Sequence, residues 1–410
     1  MEDSKVETTP TQQNGKLDTT AHQNGTVANG KPNGDHSTDN IEFYEIPVID
    51  WRLSETDKPR FLRELRDAMI NIGFLYLGNP PVPKDVIERV KEMAPKFFSL
   101  PPEIKDTLHM RNSPHFHGYL KVDASVTNDR GYEYTDNREQ FNYGGDSYYK
   151  WKEGDPEHLK LRGEALWPPE EDLPGFKETM ITYYNHLEEL SFKFTRLVSE
   201  ALGLAPDALD ILFGQDRHLL QPRAKVMRYP GSTIDGKVGS GVGAHVDGSF
   251  LTYLLQITDH KTLQVKNLSG DWIPAPPKED TFVINLGKTL EKATRRVLPA
   301  TPHRVLAPVG PARYSLGFFS SVGFNVRLSD YDFDFPQEVL DMKIARDKKL
   351  GVSSEFQFRE KDHELSGDVV LSRKLRSHAD VAQRFYPKLF PQYYPDGMPE
   401  KPMTGRREFK

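Results

Sequence analysis

The alternation of apolar and polar positions along the chain changes texture several times. Over "DKPRFLRELRDAMINIGFLYL", Phe61, Leu65, Ala68, Met69 and Ile72 recur at helical spacing, and Gly73 marks an exit into an apolar strand. "PKDVIERVKEMAPKFFSL" repeats the helical period with Val86, Ile87, Val90, Met93 and Phe97, and Pro95 is expected to kink or end that helix. A long helix is predicted over "PGFKETMITYYNHLEELSFKFTRLVSEALGL", with Pro174 in its first turn and its close near Gly203. Between 113 and 156 no period holds, so this stretch reads as a long loop region with short strands.

From 222 to 322 the period shortens. "AKVMRY", "SFLTYLLQI", "TLQVKN", "TFVINL", "HRVLAP" and "RYSLGFF" are short runs separated by Gly, Pro and Asp, the spacing of an antiparallel sandwich or barrel. A helical texture returns at "RSHADVAQRFYPKLF". The pattern therefore divides the chain into four parts: a polar tail over 1–40, a helical and loop region over 41–221, a β core over 222–322, and a helical extension over 323–410. The last three form one catalytic unit. In the tail, Asn-Gly recurs at Asn14, Asn24, Asn29 and Asn33 without the alternating apolar flanks a hairpin needs, which predicts disorder.

Composition narrows the chemistry. The 410 residues are 37% hydrophobic and 28% charged, enough for a large buried core. A formal net charge of -6 gives no general attraction to nucleic acid or anionic membrane, so neither is expected as a partner. No run approaches the roughly 20 apolar residues of a membrane span, and no signal peptide is evident, so a cytoplasmic protein acting on a small molecule is expected. With no cysteine, any metal must be held by nitrogen and oxygen.

Such donors stand in "GAHVDGSFLTYLLQ", where His245 and Asp247 are two apart at the head of an apolar run read as a strand, which would aim both at one point. His303, in "ATPHRVLAP", is the best third ligand, 56 residues after Asp247. Two histidines and one carboxylate on one face of an octahedral ion leave three positions open, the arrangement of non-haem Fe(II) oxygenases. Ten residues beyond His303, Arg313 and Ser315 share one side of a strand; a guanidinium fork with a neighbouring hydroxyl suits a carboxylate.

In order, "IPVIDW", "FFSLPPEIKDTL", "HFHGYL", "DNREQFNYG", "KVMRYPG", "GAHVDGSFLTYLLQ", "TLQVKNLSGDWIPAPP", "NLG", "TPHRVLAP" and "RYSLGFF" resemble the iron(II)- and 2-oxoglutarate-dependent dioxygenases of the isopenicillin N synthase type, over roughly 45–390. The resemblance implies a mainly β fold with flanking helices, its core a double-stranded β-helix (jelly roll). It implies that His245, Asp247 and His303 bind Fe(II), that Arg313, Ser315 and Tyr229 hold the distal carboxylate of 2-oxoglutarate, and that O2 is the other co-substrate. The implied reaction is oxidation of a C–H bond of a small specialised metabolite by hydroxylation, desaturation or ring closure, with release of succinate and CO2. The alternative within the fold is an oxidase that uses no 2-oxoglutarate. Tyr119, Phe141 and Phe319 are expected as pocket walls, and Arg138 either meets an acidic group of the substrate or forms a structural ion pair. Departures from the family pattern are Lys288 after Gly287, where aspartate is usual, Met227 in place of asparagine, and Thr262 in place of glycine. They bear on the substrate rather than on the iron.

Overall fold

The computed structural model describes residues 43–127, 133–214, 216, 219–231 and 240–399. The 1–40 tail lies outside the described residues. Strands β1 (Val48–Asp50) and β2 (Phe74–Gly78) flank the short helix α1 (Leu53–Thr56) and the longer α2 (Lys58–Asn71). Helices α3 (Lys84–Phe98) and α4 (Pro102–Thr107) lead to β3 (Gly118–Thr127) and β4 (Glu133–Tyr143), and α5 (Phe176–Ala201) precedes the core. The core runs β5 (Arg223–Tyr229), β6 (Ser240–His245), β7 (Leu251–Gln256), β8 (Leu263–Lys266), β9 (Trp272–Pro274), β10 (Thr281–Leu286), α6 (Lys288–Ala293), β11 (His303–Leu306) and β12 (Arg313–Phe319). Four helices follow: α7 (Gln337–Lys349), α8 (Ser366–Ser377), α9 (Ala379–Phe385) and α10 (Phe390–Tyr393).

The strands pair in the order β1-β2-β10-β7-β12-β5-β4-β6-β11-β8-β9, with β3 on β4. Period-two alternation gives this sheet two distinct faces. Outward-facing Phe141, Val226, Tyr253, Ile284 and Phe318 join α2, α3 and α5 in one apolar core. Inward-facing Phe74, Tyr76, Met227, Leu263, Val265, Val283 and Val305 form a second one. A third, smaller core joins α8 and α9 to Phe116, Leu120 and Phe324.

Two expectations from the sequence are refined here. Pro95 neither ends α3 nor breaks it: the helix continues to Phe98. The lost backbone bond, about 3 kcal/mol, is offset by burial of Phe97 and Phe98, each about 1.5–3 kcal/mol. The stretch over 113–156, expected to be a long loop region with short strands, holds two long strands, β3 and β4, paired from Gly118↔Asn142 to Thr127↔Glu133. Its pattern misleads because Gln140 and Asn142 face inward, where a barrel strand would ordinarily be apolar, while Phe141 and Tyr143 face the helices.

Candidate metal and keto-acid site

His245 is the last residue of β6, and Asp247 lies beyond it, in the turn into β7. The two therefore do not share one strand, contrary to the expectation from the sequence. What brings the three groups together is pairing across the sheet: His303, first in β11, stands directly opposite His245. The imidazole centroids are 4.3 Å apart. Asp247 Oδ1 lies 3.6 Å from His245 Nε2, and Oδ2 lies 3.8 Å from His303 Nε2. One ligand atom from each of the three falls within 4.8 Å of the others, the only such metal-sized group of His, Cys, Asp or Glu among the described residues.

The surroundings orient each donor. His245 Nδ1 is 2.7 Å from the Gly243 carbonyl and His303 Nδ1 is 3.3 Å from the Thr301 carbonyl. Each ring so placed keeps its proton on Nδ1 and presents the Nε2 lone pair to the centre. Thr252 Oγ1 and Asn285 Nδ2 both donate to Asp247 Oδ2, at 2.8 and 2.9 Å. The Lys288 amide donates to the Asp247 carbonyl at 2.7 Å, and the Lys288 ammonium turns to Glu291. Burial would raise the Asp247 carboxyl, but the facing His303 and His245 imidazoles and the Asn285 amide outweigh it and hold the group well below the usual range. Three ionisable donors with fixed tautomers, converging at these separations, fit a divalent ion bound by oxygen and nitrogen.

Gly287 permits this turn. A Cβ there would stand 1.9 Å from the Ser249 carbonyl oxygen, so only glycine lets the chain pass from β10 into α6 against the Asp247 turn.

Further along the inner face, Arg313 is wholly buried. It pairs in register with Tyr229, its guanidinium carbon 4.9 Å from that ring's centroid. Nη1 donates to Ser315 Oγ at 3.3 Å and Nη2 to Gln256 Oε1 at 3.2 Å, while Nε has no hydrogen-bond partner. Burial depresses the guanidinium pKa, opposed by Tyr229. A buried cation with an unsatisfied donor and only neutral neighbours lacks an anion, and its fork matches a carboxylate.

The expected pocket walls divide. Phe319, at the far end of β12, lies beside Thr252 and Arg223 on the inner face. Tyr119 and Phe141 do not line the pocket. They point to the outer face, where Phe141 packs 4.7 Å from Phe97 and the Tyr119 hydroxyl donates to Glu139. The residue parity of β4 decides this, since Phe141 and inward-facing Gln140 are adjacent. Arg138 Nε donates to Gln140 Oε1 at 3.3 Å, and the neighbouring Glu139 pairs with Lys105 and Arg228. Sequence reasoning assigned no role to Thr252, Asn285 or Gln256. The "NLG" run contained Asn285, and the inward parity of all three could have been counted from the strand alternation.

Two family models match the chain: the N-terminal region of the non-haem dioxygenase in morphine synthesis, over 46–170, and the 2OG-Fe(II) oxygenase superfamily, over 222–322. A 2-oxoglutarate-dependent dioxygenase, frbJ, of Dothideomycetidae sp. (strain 11243) is 34% identical, covering 85% of this chain and 94% of its own. A 2-oxoglutarate-dependent dioxygenase of Gibberella zeae is also 34% identical, over 85% and 92%. In fold, the chain resembles a putative 2OG-Fe(II) oxygenase family protein of Caulobacter crescentus, at a TM-score of 0.61 and 24% identity, over 81% and 99% of the two chains. It also resembles a full-length Neurospora crassa protein solved in complex with alpha-KG, at a TM-score of 0.59 and 23% identity, over 80% and 95%.

Proposed function

Because the chain belongs to the iron(II)- and 2-oxoglutarate-dependent dioxygenases, we propose that His245, Asp247 and His303 hold the iron, that Arg313, Ser315 and Tyr229 hold the distal carboxylate of 2-oxoglutarate, and that the enzyme oxidises a C–H bond of a small specialised metabolite. The cofactor set of the family is Fe(II), 2-oxoglutarate and O2, and its fold a jelly-roll core with flanking helices. The observation that carries the residue assignment is the convergence of the three donors on one face, with the carboxylate fixed by Thr252 and Asn285.

When bound, the iron with O2 supplies the oxidant, at the expense of 2-oxoglutarate, which leaves as succinate and CO2. In a hydroxylation one oxygen atom of O2 enters succinate and the other the product. The chain's own residues position and exclude. Asp247, fixed on Oδ2, offers Oδ1 inward, and the imidazoles offer Nε2. Arg313 sits where neutral walls strengthen its attraction for a carboxylate. The apolar inner core of Phe74, Met227, Val265 and Val305 keeps water from the reacting centre. Among the described residues no helix is long and apolar enough to cross a membrane.

The test is stoichiometric. O2 uptake by the Fe(II)-loaded protein should require 2-oxoglutarate and form one succinate per O2. Uptake with substrate but without 2-oxoglutarate would instead favour the oxidase alternative.

A further inference from the structure

Inward residues of β5 change character along the strand. Tyr229 and Met227 face Arg313 and Ser315; two rungs on, Lys225 stands opposite Gly317, and then Arg223 opposite Phe319. Lys225 Nζ lies 5.5 Å from the Phe319 ring. Helix α8, about 150 residues later in the chain, brings Arg373 to the wall of this cavity and Lys374 within electrostatic reach of Arg223 and Lys225. A methyl group added at Gly248, next to Asp247, would stand 3.1 Å from Arg373 Nη1. Arg373 also lines one cavity with Arg223, Gly248 and Phe319. Lys374 Nζ lies 5.6 Å from the Phe116 ring.

Compensation of these cations is partial, with Asp247 acting on Arg223 and Asp362 on Arg373 only across space. Arg223, Arg373 and Lys374 form no ion pair among the described residues. Asp362, in the same cavity, is taken by Lys292, Asp368 is taken by His158, and Glu364 stands at the exposed rim. The Lys374 ammonium is pushed well below its ordinary pKa by burial and by the charges of Arg223 and Lys225. Burial and the Arg373 charge lower Arg223 as well, with Asp247 opposing. A cluster of like charges drawn from two distant segments costs stability unless an anion joins it.

Resting on the iron and 2-oxoglutarate reading above, we infer that Arg223, Lys225, Arg373 and Lys374 form a seat for an anionic group of the substrate, a carboxylate or a phosphate. The seat is separate from the keto-acid site: Arg223 and Tyr229 are six residues apart on an extended strand, roughly 20 Å, which the five-carbon 2-oxoglutarate does not bridge. The metal triad is approached from the seat's side, since Thr252, which holds Asp247, is the register partner of Phe319. An anionic end held there would fix the substrate's orientation toward the triad.

The experiment is calorimetric titration of the Mn(II)-loaded protein, saturated with 2-oxoglutarate and free of oxygen, with inorganic phosphate and separately with acetate, at constant ionic strength in chloride. Both probes are small enough that the shape of the unknown substrate does not matter. Saturable binding of one or both is expected, weakened at least tenfold in the Arg223→Gln/Lys374→Met double variant. The probe bound more tightly tells phosphate from carboxylate. No saturable binding of either anion, or equal binding by wild type and a folded variant, overturns the inference. If the double variant does not fold, the exposed Arg373→Gln variant must itself weaken binding, or the inference falls. Repeating the titration without metal and keto acid, in an Arg313→Ala background so that the keto-acid site cannot take the probe, separates the two readings. Loss of the iron and keto-acid assignments would leave anion heats intact, whereas absence of those heats leaves the iron assignment standing.

Discussion

Asn285 Nδ2 donates to Asp247 Oδ2 at 2.9 Å across 38 residues of sequence, joining the middle of the barrel wall to the carboxylate of the triad. Thr252 donates to the same oxygen. Together they leave Oδ1 as the free face of the carboxylate. Substituting Asn285→Ala or Thr252→Val should weaken metal binding by about 10–100-fold while leaving the fold intact. Competition for Fe(II) or Mn(II) against a chelator, alongside thermal melts of the metal-free protein, measures both. Unchanged metal affinity in both variants would remove Asp247 from the ligand set.

Arg313 is buried with only neutral partners. Its loss in Arg313→Ala should weaken 2-oxoglutarate binding by about 30-fold or more, the equivalent of roughly 2 kcal/mol for a charge-assisted contact. Arg313→Lys should fall between, because an ammonium restores the charge but not the fork. Titration of the keto acid into each metal-loaded variant gives the order; equal affinities for wild type and Ala would contradict the assignment.

At Gly287 the Ser249 carbonyl leaves no space for a methyl group. Gly287→Ala should destabilise the protein by about 2–4 kcal/mol and weaken metal binding with it, because the strain falls on the turn carrying Asp247. Denaturant unfolding with and without metal tests this, and a melting curve like that of the wild type would show that the turn can relax.

His117 is buried, and burial, joined by the charges of His115 and Lys374, pushes its pKa down to about 3. The folded state thus binds fewer protons than the unfolded state between about pH 6.5 and pH 3. The sign follows: stability is unaffected by this group above about 6.5 and falls as pH drops through the window, by up to about 1.4 kcal/mol per pH unit. His378, held at about 3 by burial and by Lys374, acts in the same direction. A His117→Gln variant should show a shallower loss of stability between about pH 6.5 and 4.5 in urea titrations; parallel curves would contradict the account.

How much of this was legible in the sequence depended on which physical signal each residue carried. The strands of the core were visible because Val226, Tyr253, Ile284 and Phe318 supply an apolar period of two to the outer face. Strand β6 was missed: "SGVGAH" is glycine-rich, and its register is set by pairing with β11 rather than by its own pattern. Short strands were expected where β3 and β4 lie, and their full length was not legible because a cavity-facing strand carries Gln140 and Asn142 where a core strand carries aliphatics. The triad and the Arg313 pair emerged from residue type and order. Thr252 and Asn285 did not, since their role lies in hydrogen bonds between segments that only the sheet brings together. Tyr119 and Phe141 looked like pocket walls as aromatics near a sheet, and parity alone places them on the other side.

The central claim is that His245, Asp247 and His303 hold an iron to which 2-oxoglutarate, anchored by Arg313, is delivered. It is tested most directly by anaerobic optical titration of the Fe(II)-loaded protein with 2-oxoglutarate, in the wild type and in His303→Ala and Arg313→Ala. The account predicts a weak visible charge-transfer band that saturates in the wild type, is absent in His303→Ala, and needs higher keto-acid concentrations in Arg313→Ala. A wild-type protein that binds Fe(II) but never develops the band, or a band that persists unchanged in both variants, would contradict it.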